Sequence, residues 1–229
     1  MTPRDRFPRV FALRDLLPNP SPERAALPAL DDTLMSPGKR KFFERIEADL
    51  QRLDDAAWAA LKARFTPWPK KARPGRNLEP LYDALNEAKA YNYLRDAGFS
   101  NVRFIPVSTV SGRKTPDLGA DDQGRSVLCD AKTINRSDDE VDRFVSGGVG
   151  TSTLHLTEQL LDKLRKTAAH AKEQMLSYDP SGKARMIVYM FVNFDDHEYS
   201  SSYLEQLERF RASKPVPDVE IVFETHPPW

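Results

Sequence analysis

One cysteine, Cys129, is all the sulfhydryl chemistry that the 229 residues contain. An internal disulfide and a multi-cysteine zinc centre are therefore excluded. No apolar run approaches the ~18 residues that a membrane-spanning helix needs. The first ten residues carry arginines but no apolar stretch of the kind a secretory leader uses, so no membrane partner and a cytoplasmic location are expected. The four histidines are scattered, and no serine sits in a nucleophile elbow, so neither a histidine metal site nor acyl-transfer chemistry has support. Gly147-Gly148-Val149-Gly150 lacks the lysine and following helix of a P-loop. What remains is a chain with 40% hydrophobic and 30% charged residues, enough apolar material for a core.

The formal net charge is zero, but its distribution is uneven. Residues 1–76 hold 16 Lys and Arg against 10 Asp and Glu; residues 77–229 hold 18 against 24. A basic half can meet phosphates, and an acidic half can be offset by bound cations. Seven of the 18 prolines fall in the first 37 residues, so that arm is expected to be extended and irregular. Phe42, Ile46, Leu50 and Leu53 then recur at helical spacing, and a second short helix carries Trp58, Leu61 and Phe65. A basic, Pro-rich linker (Thr66–Arg76) follows, with Lys70, Lys71, Arg73 and Arg76 as candidate phosphate contacts. The expected organisation is an arm and helical extension over 1–77 and one catalytic domain over 78–229.

From residue 78 the pattern changes. A helix is predicted over about Leu78–Ala97, with Leu81, Leu85, Ala88 and Tyr91 on one stripe and Gly98 as its stop. Strands are predicted near Val102–Val107, Thr115–Ala120 and Ser126–Ile134. After a long polar loop comes a helix over about Leu156–Leu176, then an apolar run, Met186–Phe194, that suits a strand buried on both faces. A helix near Tyr203–Arg211 and a strand Val219–Phe223 close the chain. This is an α/β order, αβββαβ with a mixed sheet flanked by helices.

Alternate residues of a strand share a face, so Leu128, Asp130 and Lys132 point one way. Two opposite charges in a strand that otherwise reads as core are costly unless paired or bound to metal. If Ala120 pairs with Arg125 across an Asp121–Gly124 turn, Asp117 sits opposite Leu128, on the same face. Diagonal neighbours there lie ~7–8 Å apart, close enough for two carboxylates to converge on one cation. Glu87, flanked by Ala84 and Ala90 on its helix, could bring a third carboxylate. Oxygen ligands of this kind suit Mg²⁺ or Mn²⁺. Lys163, Lys166 and His170 recur at i, i+3 and i+7, either a phosphate-facing stripe or a solvated helix face.

Thr115-Pro116-Asp117 followed by Asp130-Ala131-Lys132 resembles the signature of the PD-(D/E)xK nucleases, and the order of elements over about 78–194 resembles their restriction-endonuclease-like core. The resemblance implies a metal site of Asp117, Asp130 and the Ala131 carbonyl, with Glu87 joining directly or through water. It implies that Lys132 orients the attacking water. It further implies phosphodiester hydrolysis with Mg²⁺ or Mn²⁺, DNA as the expected substrate, and Gln174 as a polar neighbour of the site. A homodimer or a place in a larger defence or repair complex is compatible with it. The rival expectation is a non-catalytic nucleic-acid-binding or assembly module with a vestigial nuclease fold.

Overall fold

The computed structural model describes residues 2–16, 37–64, 79–108, 114–135, 155–193 and 200–226. The chain divides into two compact units, Met1–Asn92 (with Trp229) and Tyr93–Pro228. No helix among the described residues is long and apolar enough to cross a membrane.

The first unit opens on α1 (Pro3–Arg6) and α2 (Pro8–Leu16), followed by α3 (Pro37–Gln51) and α4 (Asp55–Arg64). The expected extended arm is thus helical over residues 3–16. Each of its two helices begins on a proline, a position where the missing N–H costs nothing and the fixed φ suits the helix. Phe7, Val10, Phe11 and Leu13 are buried with Phe43, Ile46, Leu50, Leu53 and Leu61 in this unit's core. The rest of the arm, Phe42's side chain, and the linker with Lys70, Lys71, Arg73 and Arg76 lie outside the described residues.

A reciprocal cap joins α2 to α3. The nearly buried Glu47 carboxylate accepts from the backbone N–H groups of Arg9 and Val10, the latter at 2.9 Å, and so satisfies the first-turn donors of α2. In return the Arg9 guanidinium donates to the carbonyls of Leu50 and Leu53, at the end of α3. Glu47→Ala removes a charged acceptor and orphans two N–H groups, so a loss of about 2–4 kcal/mol is expected. A lower thermal midpoint and faster proteolysis within residues 3–16 would register it; an unchanged melt would refute it.

Helix α5 (Glu79–Asp96) spans the division between the units. Tyr91 Oη donates to Asp54 (2.7 Å) and Asn92 Nδ2 to the Asp49 carbonyl (2.9 Å), which ties this part of the helix to the first unit. Tyr93 belongs to the second, where its ring packs on Tyr189. The two units therefore divide inside the helix, at 92–93.

The second unit is α/β. Its five-stranded mixed sheet has the order β1 (Ser100–Phe104), β2 (Leu118–Asp122), β3 (Arg125–Ile134), β4 (Arg185–Asn193), β5 (Val219–His226). The first three strands run antiparallel; β3, β4 and β5 run parallel. The crossovers carry α6 (Glu158–Tyr178) and α7 (Ser200–Ala212), which flank the sheet. Helix α6 starts at Thr157, whose hydroxyl accepts from Leu160 N. Its apolar stripe (Leu164, Ala168, Ala171, Met175) packs on Leu128, Ile134, Met186, Val188 and Met190. Strand β4 is buried on both faces, as its apolar run implies.

The β2–β3 hairpin is tighter than expected. Asp122 pairs with Arg125 across Gln123–Gly124, both at positive φ (49° and 88°), which is the two-residue turn whose twist matches its strands. The register slides by two residues relative to the Ala120–Arg125 pairing. An even slide leaves every side chain on its expected face.

Candidate functional site

In the observed register Leu118 pairs with Cys129, so Asp117, one step earlier, falls level with Asp130 and not with Leu128. Strand β2 begins only at Leu118, later than Thr115, because Pro116 has no N–H to offer a ladder. Asp117 is therefore at the lip of the sheet. Its carbonyl accepts from Ile105 N (2.9 Å), and its Oδ2 accepts from Ala131 N (2.9 Å). The N–H and carbonyl of one strand residue point to the same side. The Ala131 carbonyl thus faces the side on which Asp117 lies.

Asp130 shares its face of β3 with Leu128 and Ile134, both of which pack under α6. Its side chain is 0% exposed. Gln174, on α6, donates from Nε2 to Asp130 Oδ1 (3.3 Å) and to the Thr115 carbonyl (2.6 Å). One amide thus ties together the segment before β2 and the acid on β3. Lys132 Nζ lies 2.6 Å from Asp130 Oδ2. Oδ2 is fully buried, and this ammonium is its charged neighbour.

This arrangement stores electrostatic cost. Burial, then the adjacent Asp117 carboxylate, push the Asp130 acid up to about 8, against the opposing pull of Lys132. Asp117, Asp130 and the Ala131 carbonyl are hard oxygen donors, the kind that Mg²⁺ or Mn²⁺ takes, and are the residues that could hold such an ion. Cys129, on the opposite face, is fully buried, and burial raises its thiol well above the ordinary range, so it supplies no nucleophile.

The structure brings Asp117, Asp130, Ala131, Lys132 and Gln174 together. Glu87 belongs to the first unit, where it is mostly buried and ion-paired with Arg64 at 2.5 Å. Sequence spacing could not anticipate that partner, because Arg64 sits on a different helix. Among the described residues no three His, Cys, Asp or Glu side chains gather into a group that could hold a metal ion. The second unit thus supplies a pair of acids, not the expected triad.

Lys163, Lys166 and His170 lie on the solvent side of α6 and line a wide groove together with Lys132, Gln159, Asp162 and Thr167. Lys114 joins them through a 2.6 Å hydrogen bond with His170 Nε2. Lys114, Gln159 and Thr167 were missed by the spacing argument. Gln159 was legible as the position four before Lys163, and Lys114 as a cation three before Asp117. Compared with known proteins, the chain matches no family model, no curated protein and no solved structure.

Proposed function

We propose that the chain is a metal-dependent nuclease of restriction-endonuclease-like design that hydrolyses phosphodiester bonds in DNA. One observation carries the reading: a fully buried Asp130 acid beside Asp117, with Lys132 Nζ 2.6 Å from its Oδ2, on a strand that lines a cationic groove. A fold keeps such a cost only where something offsets it, and clustered perturbed acids mark functional sites. Asp117, Asp130 and the Ala131 carbonyl would hold Mg²⁺ or Mn²⁺, which supplies Lewis acidity toward a phosphate oxygen and lowers the pKa of a water. Ala131 N fixes the Asp117 carboxylate, and Gln174 fixes that of Asp130. Lys132 presents a positive charge where negative charge grows on the phosphate.

The test is cleavage of single-stranded, duplex and branched DNA, and of RNA, with Mg²⁺, Mn²⁺ or EDTA. Cleavage that needs the cation and fails in EDTA is expected. A folded protein inert on every substrate with both cations would sink the proposal. A second reading, a binding module with a vestigial site, is favoured by the short Lys132–Asp130 ion pair, which can neutralise itself without any metal. It predicts DNA binding without cleavage and no thermal stabilisation by Mn²⁺.

A further inference from the structure

We infer that the groove along α6 is a sequence-blind phosphate track that seats the backbone of one strand of a DNA duplex. The inference rests on the proposed site only for the direction in which the track leads: Lys132 belongs to both.

Gln159, Lys163, Lys166 and His170 form one row along the helix, at i, i+4, i+7 and i+11. From Lys163 to His170 the row rises about 10 Å, the axial length of roughly three nucleotide steps in a duplex strand. Lys114 reaches the end of this row from the segment that carries Asp117. The lining offers three ammonium groups, an imidazole, an amide and a hydroxyl, against one acid, Asp162. These are groups that contact phosphate oxygens and fix register without reading bases.

Proteins that take unpaired bases present aromatic faces for stacking. Among the described residues the groove is lined by no Phe, Tyr or Trp. That composition favours a strand whose bases stay stacked with their partner. The existing bonds do not close the track. Lys163 donates to the Asn135 carbonyl (2.9 Å) and Lys166 pairs with Asp162 (2.7 Å), each from an exposed side chain. Pairs of this kind are worth ~0–1 kcal/mol and exchange readily for phosphate.

The experiment is fluorescence anisotropy in EDTA, where cleavage plays no part. It uses labelled duplexes of unrelated sequence and a matching single strand, over a range of salt. Each phosphate contact contributes ~0.9 to the slope of log affinity against log salt. Lys163→Ala/Lys166→Ala should therefore flatten the slope by about 2. It should also weaken binding to every duplex by one common factor. Lys183→Ala, an exposed lysine outside the groove, should leave the slope unchanged. An unchanged slope in the double variant, an equal change in Lys183→Ala, losses that differ between sequences, or tighter binding of the single strand by the wild type would each overturn the inference. Circular dichroism melts confirm that the variants are folded. Cleavage with an unaltered slope removes the track and leaves the nuclease reading; a flattened slope without cleavage does the reverse.

Discussion

Asp130→Asn is expected to stabilise the metal-free protein near pH 8 and to abolish its cleavage. The reason lies in where the proton sits. In the folded chain, burial and Asp117 push the Asp130 acid from its ordinary 3.8 up to about 8. Below the ordinary value both folded and unfolded chains carry the proton, and the group has no effect on the balance. As pH rises from about 4 toward 8, the unfolded chain releases its proton while the folded one retains it. Stability is lost through that window. Asparagine has nearly the same shape and no acid to ionise, so the variant escapes the loss. The gain over wild type should be absent at pH 4, grow between pH 5 and 8, and reach at least about 1 kcal/mol, with ~5 kcal/mol as an upper bound. Melts in EDTA across this range test it. In Mn²⁺ the order should reverse, because only the wild type keeps the ligand and gains from binding. A variant less stable than wild type at pH 8 in EDTA would show Asp130 to be a structural ion-pair partner.

How far this site was legible can be traced residue by residue. The side chains of β3 were assigned to the right faces because strand alternation needs no knowledge of partners. The hairpin register was missed by two residues, because Gln123 supplies the positive φ that is more often left to Gly, Asn or Asp. The error was even, so the paired side chains of β2 and β3 keep their expected faces; Asp117 itself lies one residue before β2, where its carboxylate takes the Ala131 N–H. Helix α2 was not legible. Its prolines argued for an extended arm, and its cap is the side chain of Glu47, some 37 residues away. Glu87 was read from its own helix alone, which contains no sign of Arg64. Local rules therefore carried the parts of the site that lie on one strand or hairpin. What depends on a partner from a distant element needed coordinates.

The same distinction decides what Lys132 does. Its Nζ is 2.6 Å from an Asp130 oxygen, and its side chain is 26% exposed while that of Asp130 is 0% exposed. It could be a counter-ion that makes the buried acid tolerable, or a preorganised positive charge for the transition state. The two roles differ in what its removal does. Lys132→Met deletes the charge and keeps most of the apolar stem. If Lys132 is chiefly a counter-ion, the variant leaves Asp130 buried and unpaired, at a cost of about 3–5 kcal/mol, and the rate per folded molecule is kept. The expected outcome is different. Asp130 already holds its proton near neutral pH against the pull of Lys132, so losing Lys132 mainly strengthens that hold and adds little penalty. The variant should melt within a few degrees of wild type and still bind duplex DNA. Single-turnover cleavage should fall by ~10²-fold or more, the scale of losing one preorganised electrostatic donor. Lys132→Arg should recover little, because a planar fork cannot replace a compact ammonium at the same point. A Lys132→Met protein that melts far below wild type yet cleaves at the wild-type rate per folded molecule would return Lys132 to the fold and end the catalytic assignment.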